Sequence, residues 1–403
     1  MGNENMVSTI IRKSIMLHIM RNGSFMTAEI SDDTGYSTTT VAKYISQLIK
    51  EGILSEIDKV SMHTKGRKTV RYGIGSEDRY FIGVDISAFE MRIGLMDISG
   101  RMIKVEKDTN FRLNNTHDNL EEICEGVKGL IDATEGLNAS MVLGININLP
   151  GRVNSSKGTS ATVYALEDTT STPLVEILSD KIGIPVYIEN DTKAMTYGEY
   201  MSGYSKSYRN MCYLNIGWGL GLGLILNGKL YYGKDGYSGE FGHVNLYDNN
   251  ILCHCGKKGC LETEVSGRAI ARKLTERIQA GETSVLSGKV RSGALITTSD
   301  IIQAVENEDA LCIELLSTTA TELGHQLAGL VNILNPDIIV IGGSLSKIES
   351  YYFLQYTRLA IRQYSLKLMN QDVPVISSEL GDDAAVIGAC LIARSKTLLG
   401  ELL

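Results

Sequence analysis

Four residues in one short stretch have the chemistry to hold a metal ion: His243, Cys253, Cys255 and Cys260. Their spacing, H-x9-C-x-C-x4-C, offers one imidazole and three thiolates, a donor set suited to tetrahedral zinc. Gly256 and Gly259 permit the sharp turns such a loop needs. His254 competes as a ligand, although a residue between two ligating cysteines usually points away. Four protein ligands leave no open coordination position, so the expected role of the zinc is structural. The other cysteines, Cys124, Cys212, Cys312 and Cys390, are scattered, and the total of seven is odd. Buried thiols plus one metal cluster account for this pattern better than a disulfide framework or a set of free, redox-active thiols.

A second group of residues suits nucleic acid. Ser37, Thr38, Thr39, Thr40, Lys43 and Gln47 lie on one side of a helical stretch whose other side carries Val41, Tyr44, Ile45 and Leu48. Short hydroxyl and basic side chains of this kind reach base edges and phosphates. Lys65, Arg67 and Lys68 follow in a polar, basic segment and add phosphate or minor-groove contacts.

The elements that must carry these residues can be read around them. Ile10, Ile11, Ile15, Met16 and Ile19 form an apolar stripe over a first helix that stops at Arg21-Asn22-Gly23-Ser24. Thr27 is positioned to cap a second helix, 28–34, Gly35-Tyr36 makes a turn, and Ser37 caps the third helix, which runs to about Glu51. A strand from Ile53 and a partner at Arg71 flank the basic segment. This is a winged helix-turn-helix; a plain three-helix bundle is the simpler alternative, but its surface would carry more Glu. Residues 1–75 hold ten Lys/Arg against seven Asp/Glu, net +3, so the rest of a chain of net charge −8 must be −11. A mildly basic head on an acidic body is consistent with an anionic partner for the head.

From about Arg79 apolar strands alternate with helical segments. Strands are expected at Tyr80–Ile86, Met91–Asp97, Met141–Leu149 and Val186–Asp191, with helices 119–133 and 173–181 between them. The texture then repeats, with a glycine-rich hairpin at 211–217 and 221–227 and a late strand at 337–343. Two similar α/β lobes fit this layout. No apolar run approaches the roughly 20 residues that span a bilayer, and the N-terminus lacks the layout of a signal peptide, so the expected compartment is the cytoplasm.

Three runs, Gly239-Glu240-Phe241-Gly242-His243, Cys253-His254-Cys255-Gly256 and Gly259-Cys260-Leu261-Glu262, resemble the ROK family of repressors, open reading frames and sugar kinases. Leu149-Pro150-Gly151-Arg152-Val153, Glu189-Asn190-Asp191, Gly342-Gly343 and the stretch from Asp382 to Ala389 are similar to further motifs of that family, so the likeness covers essentially the whole chain. It implies an actin-like ATPase (ribonuclease H-like) fold of two lobes behind the winged head, with a sugar in the cleft. The resemblance assigns sugar contacts to Asn190, Asp191, Glu240, His243 and Glu262, and in a kinase Asp191 would be the general base. The implied division is 1–78 for the head, 79–195 plus 382–403 for the first lobe, and 196–381 for the second lobe with its zinc loop.

Kinase members of the family also need two phosphate loops. The first, usually D-x-G-x-T or similar, reads Asp85-Ile86-Ser87-Ala88-Phe89 here. The second, usually G-T-G-x-G-x-G, reads Gly217-Trp218-Gly219-Leu220-Gly221-Leu222-Gly223. Both departures fall on the phosphate side, while the sugar side is largely kept. The expectation is therefore a sugar-responsive repressor that binds operator DNA and a sugar or sugar phosphate as a homodimer or homotetramer, without ATP and magnesium. A ROK sugar kinase with an appended DNA-binding head is the alternative. The sugar-cradling segment of the kinases is replaced by 161–170, where Thr162 or Tyr164 would have to substitute.

Overall fold

The computed structural model describes residues 2–60, 69–75, 78–166, 171–348, 351–400 and 402. Helix α1 (Gly2–Asn22) buries Ile11, Ile15, Met16 and Ile19, whereas Ile10 turns outward and is 37% exposed. Gly23, at φ 75°, ends it. Ser24–Met26 is not simply a helix stop: it forms strand β1. Helix α2 (Thr27–Thr34) is capped by Met26 rather than Thr27, the Met26 N–H donating to Glu29 at 2.5 Å. Ser37 caps helix α3 (Thr38–Lys50) as expected, its hydroxyl accepting from the Thr40 N–H at 3.2 Å. Strands β2 (Leu54–Val60) and β3 (Thr69–Ile74) pair antiparallel, and β1 adds to the free side of β3. Three helices against a three-stranded sheet make the winged helix-turn-helix. The basic tip with Lys65, Arg67 and Lys68 lies outside the described residues.

The body contains one sheet plan twice. In the first sheet, β4 (Tyr80–Ile86) pairs antiparallel with β5 (Met91–Asp97), which pairs antiparallel with β6 (Met102–Asp108). On its other side β4 runs parallel to β7 (Val142–Leu149). After the short pair β8 (Val153–Asn154) and β9 (Thr159–Ser160), strand β10 (Val186–Asn190) completes the order β10-β7-β4-β5-β6. Helices α4 (His117–Asp132) and α5 (Leu174–Ile182) cover it, contributing Leu120, Val127, Leu130, Leu174 and Leu178 to its core.

The second sheet follows helix α6 (Asp191–Glu199). Strand β11 (Met211–Ile216) pairs antiparallel with β12 (Leu220–Leu226), β12 with β13 (Lys229–Leu230), and β11 runs parallel to β14 (Ile338–Gly342), itself parallel to β15 (Val375–Ser377). The order β13-β12-β11-β14-β15 reproduces the first sheet strand for strand. Its core draws on α7 (Glu262–Val265), α8 (Gly267–Gln279), α9 (Ser287–Arg291), α10 (Thr298–Glu306), α11 (Ala310–Leu334) and α12 (Leu354–Tyr364). This duplicated hairpin-plus-parallel plan is the actin-like ATPase fold. Among the described residues no helix is long and apolar enough to cross a membrane.

By contacts the chain separates into Met1–Glu189 with Ala389–Leu403, and Asn190–Gly388. After the short helix α13 (Lys367–Asn370), helix α14 (Ala384–Leu399) belongs to both. Within the second unit its Gly388 lies so close to α6 that an added Cβ would stand 2.0 Å from the Ala194 carbonyl oxygen. Within the first unit Leu399 enters the core of the head with Ile11, Ile15 and Phe25. Replacing Gly388→Ala must push α14 off α6, and the expected loss is about 1–3 kcal/mol of stability, read as a lower denaturant midpoint.

Candidate functional site: a metal-braced acidic cluster

The loop from Glu240 to Glu262 is built by close backbone approach to β12. Gly239, at φ 90°, stands where a Cβ would be 1.9 Å from the Leu222 carbonyl oxygen. Any side chain there would lift the loop off the strand. Asn245 bridges to Cys260 and Leu252 to Lys258, folding the segment into a tight knuckle. Tyr247 pins it to α11 by donating to Glu322 at 2.5 Å.

The knuckle brings His243, Cys253, Cys255 and Cys260 together, with one ligand atom from each within 4.8 Å of all the others. Cys255 and Cys260 Sγ are 3.7 Å apart, and Cys253 Sγ is 3.6 Å from His243 Nδ1. Tetrahedral zinc with sulfur at about 2.3 Å requires sulfurs about 3.8 Å apart and a sulfur–nitrogen distance of about 3.6 Å. The residues therefore fit such an ion. Burial first, and then neighbouring thiols, push the Cys260 thiol up, and burial does the same for Cys253, so an arriving cation must displace protons. His243 turns Nδ1 towards the cluster and leaves Nε2 3.6 Å from Glu240 Oε2.

Two carboxylates flank the knuckle in different settings. Glu240 is exposed. Glu262 is 5% exposed and fully engaged: Oε2 accepts from the Leu220 N–H at 3.0 Å, and Oε1 lies 2.8 Å from His254 Nδ1. His254 is outside the four-residue set, but with Cys253 and Glu262 it forms a second group close enough to hold a metal, its Nδ1 lying 3.8 Å from Cys253 Sγ. It turns to Glu262 and meets the His243 ring edge-on, centroids 5.0 Å apart. This partnership was not legible from spacing, which shows only that His254 stands between two cysteines.

Asn190 and Asp191 arrive from the other side of β12. Asn190 caps α6, accepting from the Lys193 N–H at 3.0 Å, and its amide donates to Asp191 Oδ1 at 2.8 Å. The Thr192 N–H donates to the same oxygen at 2.7 Å. Buried Lys193 reaches the Ser238 carbonyl at 2.9 Å, just ahead of Glu240. Strand β12 thus lies against both parts of the five-residue set, the segment from Asn190 and Asp191 and the segment with Glu240, His243 and Glu262. A cavity of about 610 Å³ between Arg209, Asp337 and Leu368 contains none of them, whereas a small one of about 90 Å³ is lined by Cys253, His254, Glu262 and Arg268.

The two loops at the positions of the family's phosphate loops are engaged by the chain itself. The Ser87 N–H and hydroxyl both donate to the Glu90 carbonyl, at 2.9 and 3.1 Å, closing a tight hairpin. Phe89 is 59% exposed under the Arg112 guanidinium. Asn148 donates to Asp85 at 3.2 Å. In the second loop the Gly217 and Trp218 carbonyls accept from Gly267 and Arg268 at the start of α8, and Arg268 covers the Trp218 ring at 5.7 Å. Tyr164 faces the first unit's core, φ 55°, donating to Asn119 at 2.6 Å, and the Thr162 hydroxyl accepts from the Arg152 N–H. On α3, Ser37 and Thr40 hydroxyls bond each other at 2.9 Å as part of the cap, whereas Thr38, Thr39, Lys43 and Gln47 are exposed.

Burial pushes the Asp191 carboxyl above its ordinary range, against the Thr192 N–H bond and the Lys193 charge, which pull it down. The folded protein therefore holds this proton more tightly than the unfolded chain does. The stabilisation is complete below the unfolded value and is lost as pH rises through the folded one. Asp191→Asn is accordingly expected to raise the melting temperature at about pH 7.5, with the gain shrinking towards about pH 4. A gain that does not change with pH would contradict the assignment.

Residues 81–396 match the ROK family model. The xylose repressor of Caldicellulosiruptor bescii is 29% identical over 405 residues, covering 99% of this chain and 98% of the relative. The DNA-binding transcriptional dual regulator NagC of Escherichia coli is 26% identical, covering 100% and 96%. Among solved structures, a ROK family transcriptional regulator described as a homologue of the E. coli MLC protein superposes with a TM-score of 0.82 at 26% identity, covering 98% of this chain and 97% of that one. A ROK family glucokinase from Streptomyces griseus, in complex with glucose and AMPPNP, gives 0.67 at 28% identity and covers 78% of this chain and 99% of its own. The family model spans most of the chain, and the chain belongs to the ROK family.

Proposed function

We propose that this protein is a sugar-responsive transcriptional regulator, acting as a repressor. The observation that carries the reading is coverage. Relatives named as xylose repressors align over 99% and 96% of this chain, whereas the glucokinase structure, itself covered to 99%, covers 78% of it, and the family model begins only at residue 81. The division is 1–78 for operator recognition, 79–195 plus 382–403 for one body lobe and 196–381 for the other with the knuckle. Thr38, Thr39 and Lys43 are the exposed groups of α3 offered to operator DNA, with Ser37 and Thr40 shaping its first turn. Arg67 and Lys68 add contacts from the wing.

A sugar or sugar phosphate is the effector, read by Asn190, Asp191, Glu240, His243 and Glu262. The geometry favours hydroxyl groups, because carboxylates accept from them and the cluster offers more acceptors than donors. Zinc in the four-residue knuckle would fix His243 and Glu262, and its role is structural. The site of action is the cytoplasm, and a homodimer presents two heads to a palindromic operator.

Sugar and operator affinities are coupled reciprocally. In a gel-shift titration with xylose, glucose and N-acetylglucosamine, each free and phosphorylated, one member should weaken operator binding by about 5- to 150-fold. If none does, the sensing half of the reading fails. An ATP-coupled assay over the same panel separates the kinase alternative, which the intact Asp191 environment favours: turnover abolished by Asp191→Asn would establish it. Elemental analysis should return one zinc per chain, and Cys260→Ser should lose it together with the sugar response.

A further inference from the structure

We propose that His254, which lies between two cysteines of the knuckle without being one of its four metal ligands, is a positioning residue for Glu262 and sets effector affinity through it. The inference rests on the sugar-sensing reading above for its functional half. Its structural half stands on contacts alone.

A carboxylate as buried as Glu262 is costly unless its oxygens are bonded. The Leu220 N–H donates to Oε2 at 3.0 Å, and His254 Nδ1 stands 2.8 Å from Oε1 as an ion-pair contact. The first is backbone and fixed by β12. The second is a side chain, half exposed, whose direction is dictated by Cys253 and Cys255 on either side and by the edge-on His243 ring. For this contact to serve as a hydrogen bond, Nδ1 must be the donor, since a carboxylate oxygen accepts. With both oxygens held, Glu262 presents its remaining lone pairs in one orientation, and hydroxyl recognition depends on that orientation. Without His254 one oxygen is left unpaired in a buried site and the side chain can rotate away. His254 therefore passes the rigidity of the cysteine knuckle to the carboxylate.

The test compares His254→Phe, which removes the donor, with His254→Asn, whose amide Nδ2 can donate from nearly the place of Nδ1. Three quantities are measured on the full chain: zinc content, calorimetric affinity for the panel sugars, and hydrogen exchange of the Leu220 amide. Exchange reports Glu262 placement whether or not any sugar binds. His254→Phe should keep its zinc, lose at least about tenfold in sugar affinity and exchange Leu220 faster, while His254→Asn stays near wild type on all three. Wild-type behaviour of His254→Phe overturns the proposal, as does zinc loss in His254→Phe or equal damage in both variants, which would make the role one of shape. If the wild type binds no panel sugar, the sensing reading fails, and the exchange result still decides whether His254 places Glu262.

Discussion

The site depends on one strand that has almost no side chains in the way. At Gly221 and Gly223 of β12, an added Cβ would stand 2.3 Å from the Thr192 hydroxyl and 1.8 Å from the Thr196 hydroxyl. Helix α6 can lie on the strand only because those carbons are missing. The knuckle lies against the same strand's carbonyls at Leu220 and Leu222, through Gly242 and Gly239. The strand is therefore the common reference for Asn190 and Asp191 on one side and Glu240, His243 and Glu262 on the other. Substituting either strand glycine would separate the two halves before it altered any polar group.

This gives a second meaning to the glycine pattern of the 217–223 loop. In a nucleotide-binding relative such glycines let backbone approach phosphate. Here Gly221 and Gly223 are required by helix packing, and the Gly217 and Trp218 carbonyls are engaged by the first residues of α8. Persistence of the glycines is consequently no evidence for a nucleotide. The neighbouring Trp218 ring lies under Arg268.

What could be read from the chain, and what could not, follows the range of the forces involved. Metal ligands within one loop, helix caps and apolar periodicity are local, and the four-residue cluster, the Ser37 cap and most strands of both sheets are found where their residues place them. Strands held only by a distant partner left no such trace. Ser24–Met26 is too short to show alternation, and β6 alternates without a fully buried side, its Ile103 and Val105 being exposed. Thr27 has the right side chain for a cap, but β1 runs on to Met26, and the reciprocal Glu29 contact fixes the helix start there. His254 was visible only as an intervening residue, because its partner Glu262 is chosen by the fold of the knuckle and not by spacing.

The docking of Leu399 into the head has a consequence for the order in which the molecule is made. The head's other core residues lie between Ile11 and Leu54, and they leave the ribosome early. Their core is not complete until residue 399 has been synthesised. A nascent head therefore waits with a gap in its apolar surface for most of translation. The loop that closes it is among the longest in the chain, and such closures come late. A product that stops short of α14 carries a head whose core lacks Leu399.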